Sequence, residues 1–152
     1  MHAQSYSTTV SVDAPPDAVF AAVNDVRSWW SDDVEGGTEH VGDEFTFRVE
    51  GIHLSRIRVT EQVPGQVVAW RVLENHMGFV EDQTEWVGTD IRFELAARDG
   101  GTDIRFSHVG LLPGFECYDV CSDAWAFYLH DSLPSLLGTG TGKPTRKAQA
   151  VA

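Results

Sequence analysis

The chain has 152 residues, 42% hydrophobic and 22% charged, enough for one domain with a real core. Eleven Lys and Arg against 23 Asp and Glu give a net charge of −12. Nucleic acid is thereby excluded as a partner, because phosphate neutralisation needs a basic stripe, and an acidic membrane surface would repel the chain.

The opening MHAQSYSTTV lacks a basic segment followed by an apolar run, so no secretion signal is expected there. No apolar stretch approaches the roughly 18 residues of a membrane span. Two cysteines make no disulfide framework, and the compartment they imply is the reducing cytoplasm.

The first predicted element is SYSTTVSVD, which alternates with Tyr6, Thr8, Val10 and Val12 on one face and reads as a strand. Prolines in DAPPDAVFAAV end it and open a short helix from about Pro16 to Val23. Asn24 or Asp25 can cap a second short helix ending in Trp29 and Trp30, and the acidic run Ser31–Glu35 reads as a solvated loop.

Three strands follow, FTFRVEG, HLSRIRVTEQV and QVVAWRVLE, separated by Gly or Pro-Gly, which makes a β-meander. Phe45, Phe47 and Val49 share one face of the first, with Thr46, Arg48 and Glu50 on the other; Val68, Trp70 and Val72 point one way in the third. The stretch NHMGFVEDQTEWVG gives no clear pattern, although Trp70 and Trp86 both read as core.

TDIRFELAARDGGTDIRFSHVG is the clearest hairpin. Asp99-Gly100 has the chemistry of a type I′ turn, and pairing Arg98 with Gly101 sets Phe93 on Phe106, Leu95 on Ile104 and Glu94 on Arg105. His108 then faces the core opposite Ile91. The doubled TDIRF reflects two neighbouring strands with similar demands rather than an internal repeat.

After GLLPGFE comes one long amphipathic helix, kinked or ended by Pro134, and then a Gly-rich stop. Residues 1–140 are expected to form one domain, with 141–152 a flexible basic tail. At about 100° per residue the apolar half has a midline of Cys117, Cys121, Ala124, Ser132 and Ser135, with Tyr128 its only large member. Small residues there suggest room between helix and sheet for a ligand, which Tyr128 could orient. Large sheet residues filling the gap is the alternative.

The cysteines read as buried free thiols. A zinc site needs about four ligands and finds only His108 as a third, and an i, i+4 disulfide has poor geometry; neither metal nor cofactor is expected. His108 either anchors a ligand, acts with Tyr128 in proton transfer, or satisfies a buried carbonyl.

VSVDAPPDAVFAAVNDVRSWW, EWVGTDIRFEL, GTDIRFSHVGL and the AWAFYLHDSLPSLL helix, in this order, resemble the START-like helix-grip superfamily, also called SRPBCC. The nearest likeness is the branch of homologues of the activator of heat shock protein 90 ATPase, over residues 5–140. The resemblance implies an α+β fold, with an antiparallel sheet of about seven strands curved around the C-terminal helix and a deep cavity between them. Branches of the superfamily bind lipids, sterols or polyketides, and some are cyclases or dioxygenase subunits. This sequence shows no iron-binding His-His-carboxylate cluster and no Rieske pattern. A co-chaperone role belongs to a eukaryotic context and is not carried over with a fold.

The leading expectation is therefore a binder of a small, largely apolar molecule, with a homodimer also among the expected partners. Phe47, Trp70, Phe93, Phe106, Cys121, Trp125 and Tyr128 form the wall, His108 and Tyr128 are polar anchors, and one of Trp29 and Trp30 lines the mouth, Trp30 being the candidate. A cyclase- or hydrolase-type enzyme using His108 and Tyr128, or a protein-binding module, are the alternatives.

Overall fold

In the computed structural model, residues 5–49, 53–78, 81 and 85–144 are described. Alternating apolar residues give strands their buried face. Among the described residues there are seven: β1 (Tyr6–Val12), β2 (Val34–Gly36), β3 (Glu44–Val49), β4 (His53–Val63), β5 (Val67–Met77), β6 (Asp90–Arg98) and β7 (Gly101–Val109). They make one antiparallel sheet in the order β1-β7-β6-β5-β4-β3-β2. Two short helices, α1 (Pro16–Asn24) and α2 (Val26–Trp29), follow β1, and the chain closes with α3 (Tyr118–Phe127), a π-helical turn (Tyr128–Ser132) and α4 (Leu133–Thr139).

The β6–β7 hairpin has the expected register: Arg98 pairs with Gly101, Phe93 with Phe106, and Ile91 with His108. Its turn type differs from expectation. Only glycines have positive φ among the described residues, so Asp99 is negative and Gly100, at φ 78°, is positive. That sign sequence excludes type I′ and is the one a type II turn requires.

Sheet curvature comes from breaks in pairing. Ile57 faces Val72 but Arg56 faces Glu74, so Leu73 is an extra residue; Thr60 is skipped in the same way between Val59 and Glu61. Such bulges bend a strand and reverse its alternation. Beyond Leu73 the inward residues of β5 become Asn75 and Met77, opposite Ser55 and His53. The convex face carries ion pairs, among them Arg56 with Glu74 and Glu44, and Arg71 with Asp90.

Pro134 accounts for the π turn. It has no N–H to offer and its ring crowds the preceding turn, so the helix widens by one residue just before it. The Leu133 N–H accordingly reaches back to the Tyr128 carbonyl.

The acidic run is not a solvated loop. Ser31 and Asp33 are buried: Ser31 Oγ donates to the Arg48 carbonyl at 2.9 Å, and Asp33 pairs with Arg48 at 3.3 Å. Edge strand β2, which begins within that run, is tied to α2 by Arg27, which donates to the Val34 and Gly36 carbonyls. The start of the expected tail also packs: the Lys143 N–H donates to Ser132 Oγ and Lys143 Nζ pairs with Asp131 at 2.6 Å. Residues 145–152, the side chains of Val49 and Glu50, and most of Phe79–Thr84 lie outside the described residues.

The first strand crosses so close to the hairpin turn that a Cβ on Gly101 would stand 2.0 Å from the Val12 carbonyl oxygen, whereas Gly100 has open space around it. Replacing Gly101 by Ala should therefore cost about 3 kcal/mol by overpacking. Gly100→Ala should cost about 1 kcal/mol, through the left-handed backbone alone. Urea denaturation midpoints check the order; equal losses would contradict this packing of β1.

Candidate functional site

Seven of the nine residues expected at the site meet in one chain of rings. Trp30 stacks on Phe47 at 4.0 Å, lies parallel to Trp70 at 5.6 Å with 4° between planes, and meets Trp125 at 4.9 Å. Trp70 packs on Phe93, Phe93 on Phe106 and Phe106 on Trp125, all between 4.6 and 5.1 Å. His108 joins through Trp125 at 6.0 Å. Tyr128 packs on Phe127 and, at 6.5 Å, on Trp29, which in turn contacts Trp30 and Phe93; Cys121 is buried one turn before Trp125. Two surface clefts, one on the convex face around Arg71 and Arg92 and one between Val12 and Leu137, include none of the nine.

Two expectations about this interior need correction. The inward row of the last helix is Cys117, Cys121, Trp125 and Leu129, so its centre is large. Ala124 is exposed, as are Val120 at 57% and Phe127 at 44%. Angular averaging over an apolar half wider than the buried one drew the midline off by about 40°, roughly an eighth of a turn. Neither Trp29 nor Trp30 sits at a surface mouth: both are buried, Trp29 donating its indole N–H to the Val23 carbonyl at 3.1 Å.

His108 is held by side chains. Thr89 Oγ1 spends its proton on the Trp86 carbonyl at 2.5 Å, so its 2.8 Å contact with His108 Nε2 must receive a proton from the ring. The Trp125 indole N–H donates to His108 Nδ1 at 3.2 Å. His108 is thus the neutral Nε2–H tautomer with both nitrogens engaged, and its bond to Trp125 pins helix to sheet. Burial, then the neighbouring His53, pushes its pKa down to about 3. A second proton would also face the Trp125 N–H, donor against donor.

A second histidine, half-buried, escaped the sequence reading. His53 Nε2 lies 2.8 Å from Ser55 Oγ and 3.0 Å from Asn75 Oδ1, and Ser55 Oγ donates to the same Asn75 oxygen at 2.8 Å. Its ring edge rests on Phe47 at 5.1 Å and Trp86 at 4.7 Å. Burial lowers its pKa to about 4, against the raising effect of the Asn75 bond, and His76 lowers it further. His53 shares the face of Ser55, Ile57 and Val59, and that alternation was the available signal. Asn75 had none, because its inward direction depends on the bulge.

Trp86 stands between the histidines, 4.5 Å from His108, and donates its N–H to Cys117 Sγ at 3.3 Å. Cys117 and Cys121 are free thiols. The Cys121 thiol donates to Cys117, which holds Cys117 below the usual thiol range; the same bond and burial push Cys121 up. Among the described residues, four buried side-chain polar atoms have no partner: Trp70 Nε1, Asn75 Nδ2, Asp33 Oδ2 and Glu85 Oε1.

The family model described as activator of Hsp90 ATPase homolog 1-like protein matches residues 13–138. The chain belongs to this family. Among solved structures it is similar to the Aha1 dimer from Colwellia psychrerythraea, with 26% identity, a TM-score of 0.75, and coverage of 91% of this chain and 99% of that one. It shares its fold with CalU16 from Micromonospora echinospora (16% identity, TM-score 0.65, 93% and 78% covered). DynU16, a protein in the dynemicin biosynthetic locus, is a further neighbour (19% identity, TM-score 0.62, 90% of this chain and 48% of that one). No curated protein matches. Among the described residues, no helix is long and apolar enough to cross a membrane.

Both histidines titrate at about 6.5 when unfolded and stay neutral when folded, down to about 4 for His53 and 3 for His108. Their contribution to stability is complete above pH 6.5. It falls as pH drops below that value, by up to about 1.4 kcal/mol per pH unit for each ring, until the folded values are reached. Replacing His108 by Gln should remove about one proton from the acid limb of the stability–pH profile; an unchanged slope would contradict the assignment.

Proposed function

We propose that the chain binds a small, planar, largely apolar molecule between the sheet and the last helix. The observation that supports this most is the Trp70 indole N–H, buried among Trp30, Phe45 and Phe93 with no acceptor. A buried donor left unpaired costs about 1–3 kcal/mol, which an oxygen on a bound molecule would recover. Trp30 holds a flat ring between Phe47, Trp70 and Trp125, so a planar ligand enters by stacking against it or by turning it aside. Within the lipid, sterol or polyketide-like range, aromatic polyketide-like compounds suit these parallel rings best, and the occurrence of this fold in a biosynthetic locus is in keeping with that.

The neutral, fully engaged His108 serves here as a structural brace, so binding without turnover is the reading favoured. We further propose that the exposed apolar strip of Val120, Ala124 and Phe127 on α3 packs against a second copy of the chain; that a relative is a dimer is in keeping with self-association, and the strip is chosen for its exposure.

Native mass spectrometry against lipids, sterols and aromatic polyketides should retain a planar aromatic compound at micromolar affinity and raise the melting temperature. Absence of any retained compound, with Trp30→Ala giving no gain or loss of binding, would contradict the proposal. Light scattering should give twice the 16.8 kDa chain mass, reverting to the monomer in Phe127→Asp.

A further inference from the structure

The niche of His53, Ser55 and Asn75 is absorbed by no role so far. Leu73, the extra residue of β5, turns Asn75 to the concave side, where it lies opposite Ser55. Two donors then converge on Asn75 Oδ1: Ser55 Oγ at 2.8 Å and His53 Nε2 at 3.0 Å. The carboxamide is held in orientation by its oxygen, and its Nδ2 is buried without a partner. His53 in turn abuts the ring wall through Phe47 and Trp86.

Resting on the ligand-binding reading above, we propose that this niche is the polar end of the same site, with Asn75 Nδ2 donating to an uncharged ring carbonyl of the bound molecule. The chemistry favours an aryl ketone over two alternatives. A hydrocarbon leaves the buried donor unpaired. A carboxylate would bring an uncompensated charge into a niche whose side chains are all neutral, since burial keeps His53 unprotonated at physiological pH. The overall charge of −12 opposes anions as well. An unpaired donor that is already oriented adds selectivity because no further side chain has to be ordered to use it.

Matched probes test this: 9-fluorenone, fluorene and fluorene-9-carboxylate, with affinities by calorimetry. The wild type should bind the ketone about tenfold more tightly than the hydrocarbon, equivalent to one hydrogen bond of about 1.4 kcal/mol, and should bind the carboxylate weakest. Asn75→Leu should bring the ketone-to-hydrocarbon ratio to about one while leaving fluorene affinity within threefold. The infrared carbonyl stretch of bound fluorenone supplies a readout on the wild type alone: it should lie below its value in alkane solvent. If fluorene and fluorenone bind equally, or the stretch stays at the alkane value, the niche is overturned while the ligand site stands. If none of the three probes binds, both readings fall.

Discussion

The space between a curved sheet and a single helix has to be filled by something, and in this protein it is filled by rings. The sheet supplies Phe47, Trp70, Phe93 and Phe106, the helix supplies Trp125, and the link after α2 inserts Trp30 among them. Each buried ring contributes about 1.5–3 kcal/mol by leaving water, with a further increment from ring geometry. Hydrogen bonds from Trp125 to His108 and between Thr8 and His130 tie the helix to the sheet. The interior is thus a stack of flat surfaces joined at few polar points.

Those polar points divide into two kinds. Around His108 every donor meets an acceptor, from the Trp86 carbonyl through Thr89 and the imidazole to Trp125. Such a closed network specifies one arrangement and leaves no group over for chemistry. Around Asn75 and Trp70 the network is open, with one donor unused on each. Recognition is assigned to the open end because a ligand can add there what the protein lacks. Membership of the activator of Hsp90 ATPase homolog 1-like family fixes the scaffold, while this distribution of used and unused donors is what supports the reading of function.

The hairpin register could be read from sequence because a two-residue turn and a period-two pattern leave one pairing that puts apolar residues together, and this also carried His108 to the correct face. The ring wall was legible for the same reason. What escaped depended on non-local geometry. The Leu73 bulge reverses the face of Asn75 with no mark in its neighbours, and three-residue β2 is too short to show a period. The rotation of the last helix failed because Val120, Ala124 and Phe127 widen its apolar half on the exposed side. The acidic run was misjudged because Arg48, fifteen residues away, compensates the buried Asp33.

The central claim is that a ligand lies against Trp30 inside the ring stack rather than on the surface. The most direct measurement is fluorine NMR of protein labelled with 5-fluorotryptophan, its five signals assigned by single substitutions, before and after saturation with a compound retained in the mass spectrum. The account predicts that the signals of Trp30 and Trp70 move most and that of Trp29 least. Occupancy shown by mass with all five signals unmoved would contradict it.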